Sequence, residues 1–110
     1  MFPITLDEME DAFRSGNFEP MGEVWSSADL RKCDPLTAVI LARHGVEALR
    51  RVLSSSYPFP IVAKMLGLST GAVIAFTSGF DGSAPGRSTD PEHSLAWGAG
   101  VSARERFLMA

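Results

Sequence analysis

Leu6, Met9 and Phe13 fall on one face of a helix, with polar and acidic residues between them. Thr5 followed by Glu8 forms a capping box, and Ile4 with Met9 takes the two positions of a hydrophobic staple, so a first helix is predicted to start here. Gly16 suits a left-handed stop after its last turn. Pro20 and Gly22 break the pattern from Asn17 to Trp25, which predicts an irregular or short extended stretch anchored by Phe18, Val24 and Trp25. Ser27 is placed to cap a short helical turn through Leu30. Asp34 before Pro35 then supplies an N-cap and a first helical residue. Helical spacing returns at Leu36, Val39, Ile40, Val46, Leu49, Val52 and Leu53, with Arg43, Glu47, Arg50 and Arg51 mostly elsewhere on the wheel. Gly45 divides that run into two helices.

After a Ser- and Pro-rich linker from Ser54 to Pro60, the stretch Pro60 to Phe76 reads as helix, tight turn, helix. Ile61, Val62 and Leu66 are apolar, Ala63 is small, Gly67 turns, Ser69 caps, and Val73 and Phe76 face back. The spacing of Ala63, Gly67 and Val73 resembles a helix-turn-helix, in which a small residue lets two helices cross and a glycine takes a left-handed turn. Phe80 to Ser88 is a Gly, Ser and Pro loop. Asp90 and Pro91 open a last helix running to Leu108, with Trp97, Val101 and Leu108 on one stripe and Phe107 beside it. Its early turns are thin, at Ala96, Gly98, Ala99 and Gly100, as expected where another backbone comes close, the preceding helix being the simplest partner. The expected fold is mainly α: one domain over residues 1–110, a bundle of about five helices. Residues 1–33 form an acidic helix and an irregular segment, 34–79 the core with the helix-turn-helix-like unit, and 80–110 the loop and final helix of a C-terminal hairpin.

From Ala75 onward the order of residues resembles the ribosome modulation factor family. The matching features are Ala75, Gly79 and Phe80, then Gly86, Arg87 and Ser88, then Pro91, and finally Trp97 with Gly100. The resemblance implies a helical hairpin and a ribosome-like target. That family is strongly basic, whereas this segment sets Arg87, Arg104 and Arg106 against Asp81, Asp90, Glu92 and Glu105.

Composition adds bounds. With 110 residues, 45% of them hydrophobic, the chain suits one globular core. A core of this size leaves little spare stability, so a homodimer is an option. No apolar run approaches the roughly 18 residues of a membrane span, and the N-terminus lacks the pattern of a signal peptide, so a cytoplasmic protein off the membrane is expected. The single Cys33 and two histidines, His44 and His93, fall short of a zinc site, and no phosphate-loop or dinucleotide fingerprint occurs; neither metal nor cofactor is expected. The net charge of −3 conceals a gradient. Asp7, Glu8, Glu10, Asp11, Glu19, Glu23 and Asp29 oppose Arg14 alone, after which Arg31, Lys32, Arg43, Arg50, Arg51 and Lys64 face only Asp34 and Glu47. The acidic segment either screens the basic one or leaves it open to a partner.

Catalysis finds little support in these residues. Gly67 to Gly71 spells the Gly-x-Ser-x-Gly of a nucleophile elbow, but that motif needs a strand before it and a large sheet around it. The acids at Asp7, Glu8, Glu10 and Asp11 sit where a helix start favours them. A non-enzymatic regulator or inhibitor is therefore expected, docking a protein partner through the apolar helix surface at Thr70, Ile74, Ala75 and Phe76. A DNA-reading helix would carry Arg, Lys, Asn or Gln near its start, and this one does not. The alternative is a DNA-binding regulator with Arg43, Arg50, Arg51 and Lys64 on the phosphates, and the third is a ribosome-associated factor.

Overall fold

The computed structural model describes residues 1–22, 25–27 and 31–109, with six helices and two very short strands among them. Helix α1 (Leu6–Gly16) starts as its capping residues dictate: the Thr5 hydroxyl accepts the Glu8 N–H at 3.1 Å. Its end differs from expectation by one residue. Asn17, not Gly16, takes the left-handed conformation (φ 55°), and the Asn17 and Phe18 N–H groups close the helix on the Arg14 and Phe13 carbonyls. Gly16 is needed for space instead, because a Cβ there would lie 2.6 Å from the Phe18 ring.

The broken stretch that follows contains β1 (Glu19–Pro20) and β2 (Lys32–Cys33), paired in parallel, with an isolated bridge between Ser26 and Cys33. Phe18 and Trp25 pack on the core, Trp25 edge-on to Phe59 at 5.3 Å. Val24 lies outside the described residues, as does most of the turn expected from Ser27 to Leu30; the Ser27 hydroxyl accepts the Lys32 N–H.

Helix α2 (Pro35–His44) begins at Asp34, whose carboxylate accepts the Thr37 N–H at 2.7 Å, and residues Pro35 to Ile40 are all buried. An amphipathic helix would show solvent one face; α2 instead buries its first six residues and packs against α1, α3 and α4. Gly45 separates it from α3 (Val46–Leu53), which follows almost at once, so the sixth helix arises where the glycine was expected to interrupt. Met9, Phe13, Leu36, Val39, Ile40, Val52, Val62, Leu66, Val73, Phe76 and Phe80 make one core, with Phe2 stacked on Phe76 at 5.3 Å.

Helices α4 (Phe59–Leu66) and α5 (Thr70–Phe80) are joined by Gly67, Leu68 and Ser69, and the chain turns through 106° between them. Gly67 is left-handed (φ 68°), the Ser69 hydroxyl accepts the Ala72 N–H, and Ala63 and Val73 are buried at the crossing. His44 Nε2 donates to the Met65 carbonyl in the last turn of α4.

Helix α6 (Pro91–Phe107) lies against α5 with their backbones touching. A Cβ on Gly79 would stand 2.3 Å from the Trp97 carbonyl oxygen, and one on Gly100 would stand 2.2 Å from that of Phe76. This contact corrects the expected packing stripe. Ala96, Gly100 and Ala103 form the buried face, whereas Trp97 and Val101 are only half-buried and Leu108 is exposed, because close approach of two backbones selects small residues. The thin turns thus belong to the hairpin itself. Among the described residues no single helix is long and apolar enough to cross a membrane.

Candidate functional site

Where α5 runs past the first half of α6, its outer face is left uncovered by the core. Gly71, Ile74, Ala75 and Ser78 floor a cleft of about 240 Å³, with His93, Ser94 and Trp97 of α6 on one side and Pro85 to Ser88 on the other. Ile74 is 38% exposed because Val73 before it and Phe76 two residues after it take the core face of α5. The loop closing the cleft is strapped at two points. The Trp97 indole N–H donates to the Ser83 carbonyl at 3.0 Å, and Ser88 Oγ lies 2.8 Å from His93 Nδ1. His93 is itself seated by Gly71, where a Cβ would fall 2.2 Å from Nε2. The cleft is therefore built by glycine at one end and by the indole at the other.

Among the described residues no carboxylate lines this cleft, although the chain as a whole carries a net charge of −3. Arg87 does line it, and among the described residues its guanidinium has no hydrogen bond or ion pair. Most other cations are engaged. Arg43 Nε and Nη2 donate to Glu8 at 2.7 Å each, a pairing that holds the Glu8 carboxyl below its ordinary range and raises Arg43. Arg106 reaches Asp7 at 2.9 Å and Glu10 at 3.2 Å, Arg50 reaches Glu47 at 2.9 Å, and Arg104 donates to the Phe80 carbonyl at the end of α5. The acidic first helix thus screens Arg43.

The sequence-predicted residues divide accordingly. Ile74 and Ala75 meet in the cleft, while half-buried Thr70 stands outside its lining. Phe76 is a correction: it is fully buried between Phe2 and Phe80, its position facing the core, and has no surface to offer a partner. The four basic residues do not act as one ridge, since Arg43 and Arg50 are tied to carboxylates. Arg51 and Lys64 do share a depression with Pro60, Ile61 and Met65, and neither side chain has a partner among the described residues. Reasoning on α5 alone missed Arg87, His93 and Trp97 as parts of its surface, because they come from beyond an irregular loop. The run Gly86, Arg87, Ser88 and the later Trp97 had stood out only through the resemblance to the ribosome modulation factor family.

Chemically, Ser88, His93 and Asp90 stand in the order hydroxyl, imidazole, carboxylate, with His93 Nε2 3.7 Å from Asp90 Oδ2. That last separation is too long for a hydrogen bond, and Ser88 Oγ accepts the Asp90 N–H, so the trio holds a turn at the start of α6. Ser69 of the Gly-x-Ser-x-Gly run follows a helix and spends its Oγ on capping α5. Cys33 is fully buried, and burial pushes its thiol far up. Among the described residues no three His, Cys, Asp or Glu side chains are grouped to hold a metal ion. Compared with models of known families, with curated proteins and with solved structures, the chain has no match.

Proposed function

We propose that this protein is a small regulator or inhibitor that binds another protein in the cleft between α5, α6 and the 83–88 loop. In this reading α4 and α5 form a helix-turn-helix-like unit put to protein binding. The observation that carries it is the uncovered apolar face at Ile74 and Ala75, walled by Trp97. In a DNA reader the start of α5 would enter the major groove. Here Glu92 Oε1 sits 3.4 Å from the Ser69 amide, so a carboxylate stands where phosphates would approach.

Affinity capture from native lysate, with and without nuclease, tests this proposal. A protein recovered equally under both conditions by the natural chain, and lost at least tenfold by Ile74→Asp with helicity unchanged, supports it. Recovery abolished by nuclease, or unaffected by Ile74→Asp, overturns it. A second copy of the chain is one partner to test, by sedimentation of the two proteins.

One observation favours a second reading, DNA binding through the backbone. Arg51 and Lys64, at α3 and α4, line one depression and have no partner among the described residues. That reading predicts duplex affinity falling steeply with salt, and no binding at low salt would eliminate it. Ribosome association, the third reading, rests on the hairpin resemblance and predicts co-sedimentation with ribosomal particles.

A further inference from the structure

The lining of the cleft says what kind of segment fits it. Its floor is hydrocarbon, from Ile74 and Ala75, and the Trp97 side chain stands on one side. Its opposite rim carries Ser88 and Arg87, the latter unpaired among the described residues; Ser78 on the floor and His93 and Ser94 on the α6 side are the other polar side chains of the lining. Two acids at the start of α6 are engaged outside the lining, Asp90 with its Oδ1 on the Glu92 N–H and its Oδ2 3.7 Å from His93 Nε2, and Glu92 at the Ser69 amide. An apolar floor beside a single free guanidinium complements an apolar side chain followed by one negative charge.

We infer that the partner presents an aliphatic or aromatic residue next to an acidic one, with the apolar side chain over Ala75 between Ile74 and Trp97 and the carboxylate on Arg87. This rests on the cleft being the docking site proposed above. A nucleic acid fits the same surface poorly. Its affinity comes from several phosphates neutralised at once, and the two other cations without a partner among the described residues, Arg51 and Lys64, line a different depression. Guanidinium suits the role because it takes a carboxylate in a two-pronged geometry and stays charged at all working pH values.

The test is an NMR titration of the full chain at low salt with two blocked dipeptides that differ only in charge, N-acetyl-Leu-Glu-amide and N-acetyl-Leu-Gln-amide. Ligands this small bind in the millimolar range. The acidic dipeptide should shift the amides of Ile74, Ala75 and Ser88 and the Trp97 indole N–H. It should bind roughly threefold to fivefold more tightly than the neutral one, as a solvent-facing ion pair allows. Arg87→Gln should erase that difference, and Arg51→Gln should leave it intact. Equal binding of the two dipeptides, with shifts in the cleft that Ile74→Asp abolishes, overturns the charge inference and leaves the docking site standing. Shifts elsewhere, or none in the cleft, overturn the inference as well, and the lysate capture then decides the docking site separately. A uridine hexanucleotide that moves the same resonances more tightly than the acidic dipeptide also overturns it, in favour of RNA.

Discussion

Asp34 shows what a single side chain can cost when its local role and its surroundings disagree. As N-cap of α2 it must accept the Thr37 N–H, yet it is buried, and burial pushes its pKa up to about 7, opposed by hydrogen bonding from Thr37, whose N–H lies 2.7 Å away, and aided by the Asp81 carboxylate. Folded, the carboxyl binds its proton more tightly than the unfolded chain does. Its contribution is therefore fully present below the ordinary carboxyl range near 3.8 and is lost as pH rises toward 7. The protein should melt at a higher temperature near pH 5 than at pH 8. Asp34→Asn keeps the accepting oxygen without the charge, so it should flatten that slope and stabilise at pH 8 by an amount on the order of a few kcal/mol. Thermal unfolding of both proteins across this range checks it, and parallel slopes would remove Asp34 as the cause. The sequence made the cap plain, since Asp before Pro is a local signal. Nothing local reveals that the cap would be sealed beneath other elements.

At the scale of elements, the α5–α6 pair separates two glycines that the sequence leaves alike. Gly98 and Gly100 both sit inside α6, but a Cβ at Gly98 meets nothing within 4 Å, whereas one at Gly100 meets the Phe76 carbonyl. Gly98→Ala should stabilise by about 0.5–1 kcal/mol through helix propensity and a less free unfolded chain. Gly100→Ala should destabilise by about 2 kcal/mol or more, because the obstructing atoms are backbone and cannot step aside. Urea unfolding of the two variants decides between this account and one in which both glycines are mere propensity defects. Helix starts at Thr5, Asp34, Ser69 and Asp90 were legible because capping is written in a few adjacent residues. The face of α6 was not, because large apolar residues dominate any periodic pattern, and the packing here is decided by small ones.

For the whole molecule, the opposed charges along the chain resolve into contacts that tie α1 to its neighbours. Glu8 holds Arg43 on α2, and Asp7 with Glu10 holds Arg106 on α6. With both partners of the Glu8–Arg43 pair 35% exposed, solvent screening limits its worth. A double-mutant cycle with Glu8→Gln and Arg43→Gln should give a coupling below about 1 kcal/mol, smaller again at high salt. A larger, salt-insensitive coupling would contradict this reading. The charge gradient was visible in the sequence, as were the two alternatives of screening and exposure. Which cations escape depended on three-dimensional neighbours: Arg43 and Arg50 meet carboxylates, whereas Arg51, Lys64 and Arg87 meet none among the described residues.

The touching backbones at Gly79 and Gly100 also constrain how the cleft can adapt. With no side-chain layer between them to compress, α5 and α6 cannot part or slide by small steps, so whatever enters must be accommodated from the opposite bank. That bank is a glycine- and proline-containing loop fastened by one indole and one imidazole. For the partner proposed above, the cleft would therefore offer a fixed wall on the α5–α6 side and a wall of loop backbone opposite it. It should discriminate sharply among shapes pressed against Ile74 and Ala75 and tolerate wide variation in whatever faces residues 83–88.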